Sequence, residues 1–182
     1  NVDLKHVRAY AGLSRTIVGR MDVLKFARRF SRAKSLNTDA TARRFISALG
    51  KWILRGPLSD REVTNYSGIA TTVASAGGTY KEGVTYIVEA MIQSPRFIYL
   101  IENQKGDGTA WPVGPYELAA RMSYAIWGAP PDRKLIKLAD SGELSDPKVC
   151  TEQAKRMLSD PRAMKRSTQF LKLPTGCLKL SD

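Results

Sequence analysis

Histidine occurs once, at His6, and cysteine twice, at Cys150 and Cys177, in a chain of 182 residues. A multi-histidine metal centre and a disulfide-dense scaffold are thereby excluded, and without Cys-x-x-Cys-His there is no covalent haem attachment. Neither cysteine stands at zinc-motif spacing, and a nucleophilic device using imidazole would rest on His6 alone. Acidic residues are also scarce, 17 against 29 Lys and Arg, giving a net charge of +12. The longest apolar stretches, residues 86–92 and 97–101, fall short of the roughly 18 residues of a membrane span, so no transmembrane segment is expected. The first six residues lack the apolar core of a signal peptide. Gly77-Gly78 and Gly106-Asp107-Gly108 are not followed by Lys-Ser/Thr and do not form a phosphate loop. No cofactor site, metal site or catalytic residue is read from this pattern. Glu82, Glu89, Glu102 and Glu117 read as surface carboxylates on or beside helices.

What is present is concentrated positive charge. Residues 1–55 hold thirteen Lys and Arg against three Asp, a local +10; residues 56–110 sum to −2 and residues 111–182 to +4. A surplus so localised repels itself unless an anionic surface answers it. Arg20, Lys25, Arg28, Arg29, Arg32, Lys34, Arg43 and Arg44 are the candidate partner-binding or anion-binding residues.

The apolar pattern is helical throughout. Residues 4–10 form a short helical candidate weakened by Gly12 and Gly19. A firmer basic amphipathic helix is expected from Arg20 to about Lys34, with Met21, Leu24 and Ala27 on one stripe and Val23, Phe26 and Phe30 on another. Phe45, Ile46, Leu49, Trp52 and Ile53 mark a core helix over residues 41–54. Ser59 and Glu62 make a capping box that opens the next helix, running to about Val73. Residues 80–93 follow, with a further turn over 97–102. Residues 103–114 are the clearest loop. Pro115 suits the first turn of a helix in which Leu118, Met122, Ala125 and Ile126 face inward. Helices over 132–141, 146–158 and 162–173 complete the chain. The expected class is all-α, an irregular multi-helix bundle with a basic amphipathic N-terminal helical arm. The expected organisation is an arm over residues 1–36 and modules over 37–103 and 104–182. Cys150 and Cys177 either form one disulfide or remain two thiols; both alternatives stand at this stage.

Ordered signals between Arg43 and Leu173 carry a family likeness. Arg43-Arg44-Phe45-Ile46, then Arg55-Gly56-Pro57-Leu58-Ser59-Asp60-Arg61-Glu62-Val63, resembles the "RRPLTDEEV" segment of domain-of-unknown-function family 1595. Glu82-Gly83, followed by Ala90-Met91-Ile92-Gln93-Ser94-Pro95-Arg96-Phe97-Ile98-Tyr99 and Glu102, is similar to its continuation. Tyr116-Glu117-Leu118-Ala119-Ala120-Arg121-Met122-Ser123-Tyr124-Ala125-Ile126-Trp127-Gly128 with Pro131-Asp132 resembles the "YELASRLSYFLWGSMPD" signature of family 1592. Gly142 to Pro147 and Met157-Leu158-Ser159-Asp160-Pro161-Arg162-Ala163 continue it. The resemblance implies a helical fold and an exported, periplasmic or cell-surface setting. It also implies company with c-type cytochrome domains. It names no reaction.

The chain departs from the family pattern at Gly56, where the second Arg of the motif would stand. It also stops at Asp182, where relatives usually continue, so helices that pack on a longer domain would expose apolar surface for a partner to cover. The expectation is a non-catalytic accessory or structural subunit of a larger exported assembly, holding an acidic protein partner through its basic arm. The alternatives are a nucleic-acid-associated protein contacting phosphates through the same arm, a component of an electron-transfer complex with cytochromes on other chains, and a peripheral protein on an anionic membrane surface through residues 20–34.

Overall fold

The computed structural model of the chain describes residues 4–36, 39–99 and 113–175. They form an all-α fold of ten α-helices and one 3-10 turn, with no strand among them. The chain divides into two compact units, Asn1–Leu100 and Ile101–Asp182.

The first unit contains α1 (Leu4–Gly19), α2 (Val23–Ala27), α3 (Asp39–Ile53), α4 (Asp60–Ser75), α5 (Tyr80–Ile92) and the short α6 (Pro95–Ile98). Helix α5 is the hub, packed by α1, α2, α3, α4 and α6. Its Val84, Ile87, Val88 and Met91 recur at helical spacing and are essentially inaccessible to solvent. Each such side chain contributes about 1.5–3 kcal/mol of transfer free energy. Phe45, Ile46 and Leu49 of α3 and Val63 and Ala70 of α4 complete that core.

Side-chain caps fix the starts of α2, α4, α5 and α6. Ser59 Oγ accepts from the Glu62 amide, and Glu62 Oε2 accepts from the Ser59 amide at 2.8 Å. Thr79 and Glu82 repeat the same box at α5. Glu82 is a surface carboxylate, as expected, but its partner is Thr79 at its own helix end.

The leading segment differs from the sequence expectation. Helix α1 runs sixteen residues and passes straight through Gly12. Tertiary packing overrides the glycine's propensity: Ser14 and Val18 are buried, and Ser14 Oγ donates to the Ala11 carbonyl and accepts from Gln93 Nε2, both at 3.0 Å. The firm helix expected from Arg20 to about Lys34 is instead the five-residue α2, capped by Asp22, followed by a turn through Phe30 and irregular chain through Leu36. Val18, Val23 and Ala27 join the core, so residues 4–36 are built into the first unit.

The second unit contains α7 (Pro115–Trp127), α8 (Arg133–Asp140), a 3-10 turn (Glu143–Ser145), α9 (Pro147–Leu158) and α10 (Pro161–Thr175). Helix α7 is central, packed by α8, α9 and α10. Its fully buried line is Ala119, Ala120, Ser123 and Trp127. Leu118, Met122 and Ile126 are partly buried against the core, whereas Ala125 is exposed, contrary to the inward stripe expected for it. Ser123 is tolerated inside because its hydroxyl donates to the Ala120 carbonyl at 3.0 Å. Gly128 ends α7 at φ +63°, the left-handed conformation that closes a helix without a Cβ penalty.

Candidate functional site

The eight cations singled out by sequence fall into two groups. Arg20, Lys25, Arg28, Arg29, Arg32, Lys34 and Arg44 are exposed, and none forms an ion pair among the described residues. Arg43 is different. Its Nη1 donates to Thr64 Oγ1 at 3.0 Å and its Nη2 lies 3.6 Å from Asp60, tying α3 to the start of α4. Arg43 is therefore engaged in the fold of its own unit.

Lys25, Arg28, Arg29 and Arg32 stand within a few positions, along the chain, of an aromatic cluster. Phe26 and Phe30 meet edge to face at 5.3 Å between centroids, and Trp52 approaches both, at 5.6 and 6.0 Å. Trp52 was expected in the core of α3, but it is 44% exposed. Its indole rests on the two phenyl rings and presents the rest to solvent. Lys25 and Arg29 bracket Phe26 at a spacing of four along the α2 turn, while Arg28 and Arg32 follow closely. The result is a cationic surface with a rigid aromatic centre, the residue combination enriched at binding hot spots.

A second constellation was not recognised from the sequence beyond its motif letters. Arg55 has φ +59°, an uncommon conformation for a side chain with a Cβ. Its Nη2 donates to the carbonyls of Arg96, Phe97 (3.2 Å) and Tyr99 (3.0 Å), and its guanidinium lies 5.9 Å from the Phe97 ring centroid. Arg96 reaches back: Nη1 donates to Glu62 Oε1 at 2.8 Å and Nη2 to the Pro57 carbonyl at 3.2 Å. Burial pushes the Glu62 carboxyl up, but the bonds from Arg96 and Ser59 outweigh it and hold it below the usual carboxylate range. The segments around residues 55–63 and 94–99 thus grip each other through reciprocal arginines.

The second unit repeats the logic around Trp127. Its Nε1 donates to the Met157 carbonyl at 2.9 Å. Arg162 lies over the ring at 3.5 Å and Arg156 at 5.6 Å. Arg156 is held by Asp132, with Nη1 2.8 Å from Oδ2, and Asp132 also caps α8 through the Leu135 amide. Arg162 pairs with Asp160 at 2.7 Å. Those hydrogen bonds hold the Asp160 carboxyl down at about 2. Tyr116 donates to Asp140 at 2.5 Å; partial burial and that carboxylate push its phenol up to about 12. The stretches 116–132 and 157–163, quoted separately in the sequence, are therefore in direct contact.

Residues 41–102 match the model of the family PSD5, described as a protein of unknown function (DUF1595), and residues 113–177 match that of PSD4, a protein of unknown function (DUF1592). The chain is similar to these two families over those two successive stretches. The reciprocal arginines lie within the DUF1595 match, and the tryptophan between arginines lies within the DUF1592 match. The cationic cluster of residues 20–34 precedes both. No curated protein and no solved structure matches the chain.

Other sequence candidates are placed as follows. Cys150 Sγ lies 3.7 Å from Met122 Sδ, while Cys177 is outside the described residues, as is any bond between the two cysteines. Glu102 is also outside them, as is the side chain of His6. Glu117 accepts from the Gly114 amide at 3.1 Å and so closes the start of α7. Among the described residues, no three His, Cys, Asp or Glu side chains gather as a metal site, and no helix is long and apolar enough to cross a membrane.

Proposed function

We propose that the chain is a structural or accessory subunit of a larger exported assembly and that it holds an acidic protein partner through residues 20–34 and Arg44. One observation carries this reading: seven exposed cations form no ion pair among the described residues, and four of them, Lys25, Arg28, Arg29 and Arg32, flank Phe26 and Phe30 in the chain, the rings that support the partly exposed Trp52. Charge supplies steering and register, while the partly exposed indole supplies a desolvated contact at the centre. Exported placement rests on the two family domains and on nothing in the geometry. The polar networks in each unit are consumed by helix caps and by pairing of distant segments. Among the described residues, the side chains of the seven exposed cations take part in none of those networks.

A titration of the purified chain with an oligoglutamate peptide containing one central phenylalanine, and separately with oligouridylate of equal charge, tests this reading. The expected result is tighter binding to the peptide, weakened by salt and by the triple variant Arg28→Glu, Arg29→Glu, Arg32→Glu. Tighter binding to the oligouridylate, with a steep dependence of log affinity on log salt, would assign the surface to nucleic acid instead.

A further inference from the structure

The first unit contains a cleft of about 210 Å³ between the irregular segment 34–36 and the α4–α5 pair. The lining is apolar on both sides, at Leu36 of the segment and at Ala70, Val73 and Ala74 of α4. Lys34, Ser35 and Tyr80 are polar residues of the lining, and the side chain of none of them hydrogen-bonds to any described residue. Thr79 also lines the cleft, but its hydroxyl is committed to Glu82. Lys34 is thus the charged group of the lining.

Gly83 makes the cleft distinctive. It lies inside α5, where glycine is a poorer helix former than alanine. It is buried, yet a Cβ added there would meet no atom within 4 Å. No neighbouring side chain therefore requires its smallness. The space a methyl group would fill belongs to the cleft.

We propose that this cleft binds a carboxylate carried on a short apolar body, with the carboxylate at Lys34 and Ser35, the body against Leu36, Val73 and Ala74, and Gly83 keeping the floor open. The volume is below the roughly 300–1,000 Å³ of sites for drug-sized ligands, which restricts the occupant to a few carbons. The lone ammonium selects an anion over a neutral or cationic analogue. Lys34 belongs to both readings, but Arg28, Arg29 and Arg32 do not line the cleft, so the triple charge-reversal variant tests the partner surface apart from the cleft.

The test is a ¹⁵N-resolved NMR titration of the full chain with hexanoate, hexanol and hexylammonium. Hexanoate is expected to give saturable shifts at the amides of residues 34–36, Ala74 and Gly83. Hexanol is expected to bind about tenfold more weakly, the scale of losing one charge-assisted contact, and hexylammonium not at all. Lys34→Gln should abolish the preference for hexanoate over hexanol. Gly83→Ala should raise the thermal midpoint while removing the saturable shifts, and Ala74→Leu, on an exposed position of α4, should remove them from the opposite wall.

Equal binding of hexanoate and hexanol would overturn the carboxylate assignment. Absence of saturation, or unchanged binding in both cleft-filling variants, would overturn the site. An acetylated tripeptide ending in a free leucine separates two sources of the same chemistry. Tighter binding than hexanoate identifies a chain terminus, and weaker binding a free small acid.

Discussion

Glu62 stands with one oxygen on Arg96 Nη1 at 2.8 Å and the other on the amide and hydroxyl of Ser59, at 2.8 and 2.9 Å. One carboxylate therefore serves both the start of α4 and the segment after α5, thirty-four positions away. Glu62→Gln keeps the shape and removes the charge. At about one-third exposure the pair is partly screened, so the expected cost is about 1 kcal/mol in urea unfolding at pH 7. Because the folded carboxyl is held below its ordinary value, this contribution is present above the unfolded pKa and disappears as pH falls through the lowered folded one. The variant should accordingly lose less stability than the parent chain on acidification from pH 5 to 3.

Arg55 combines an unfavourable backbone with three acceptor carbonyls. Arg55→Ala and Arg55→Gly both delete the guanidinium, but only glycine adopts φ +59° readily. Urea midpoints should rank parent above Gly above Ala, with roughly 1 kcal/mol between the two variants. Equal stabilities would show that this backbone conformation carries no cost.

Trp127 supplies both an indole donor and a platform for two guanidinium groups. Trp127→Phe retains a ring but leaves the Met157 carbonyl without its partner. The expected loss is about 1–3 kcal/mol, the cost of a buried unsatisfied polar group. Arg162→Lys retains charge without the planar stack and should cost less, within about 1 kcal/mol. Near-ultraviolet circular dichroism in a background lacking Trp52 and Trp111 isolates Trp127 and reports its ring environment with and without Arg162→Lys.

Tyr116 titrates high because partial burial and the Asp140 carboxylate both disfavour its phenolate. Its folded value, about 12, exceeds the unfolded one, so its contribution is complete below about pH 10. It is then lost as pH rises through 12. Tyr116→Phe should thus narrow the stability difference between pH 9 and pH 11, and ultraviolet difference titration should show a late-ionising tyrosine in the parent chain that the variant lacks.

Much of this fold was legible because its determinants are local. The Ser59–Glu62 box and Pro115 at the start of α7 place helices from a few adjacent letters, and the 3.6-residue apolar period of α5 outweighs its strand-favouring β-branched content. The leading segment was not, because Gly12 and Gly19 argue against a long helix while Ser14 and Val18 earn their place only through contact with a distant partner such as Gln93. The same reason hid the roles of particular arginines. Arg43 looks like its exposed neighbours until Thr64 and Asp60 arrive from the next helix. The carbonyls gripped by Arg55 lie 41–44 positions ahead. Trp52 follows the core period of α3, yet the phenyl rings that support it come from α2 and the turn after it, and they leave one side open.

The central claim is that the exposed cations around Trp52 hold an acidic protein partner. Its most direct measurement is native-gel migration and chain identification of the intact assembly, purified at low salt from cells expressing either the parent chain or the Arg28→Glu, Arg29→Glu, Arg32→Glu variant. The account predicts that the parent chain migrates with an acidic protein that high salt releases, and that the variant, equally folded by circular dichroism, migrates alone. Co-migration of the variant with the same protein at the same salt, or a nuclease-sensitive parent complex, would contradict it.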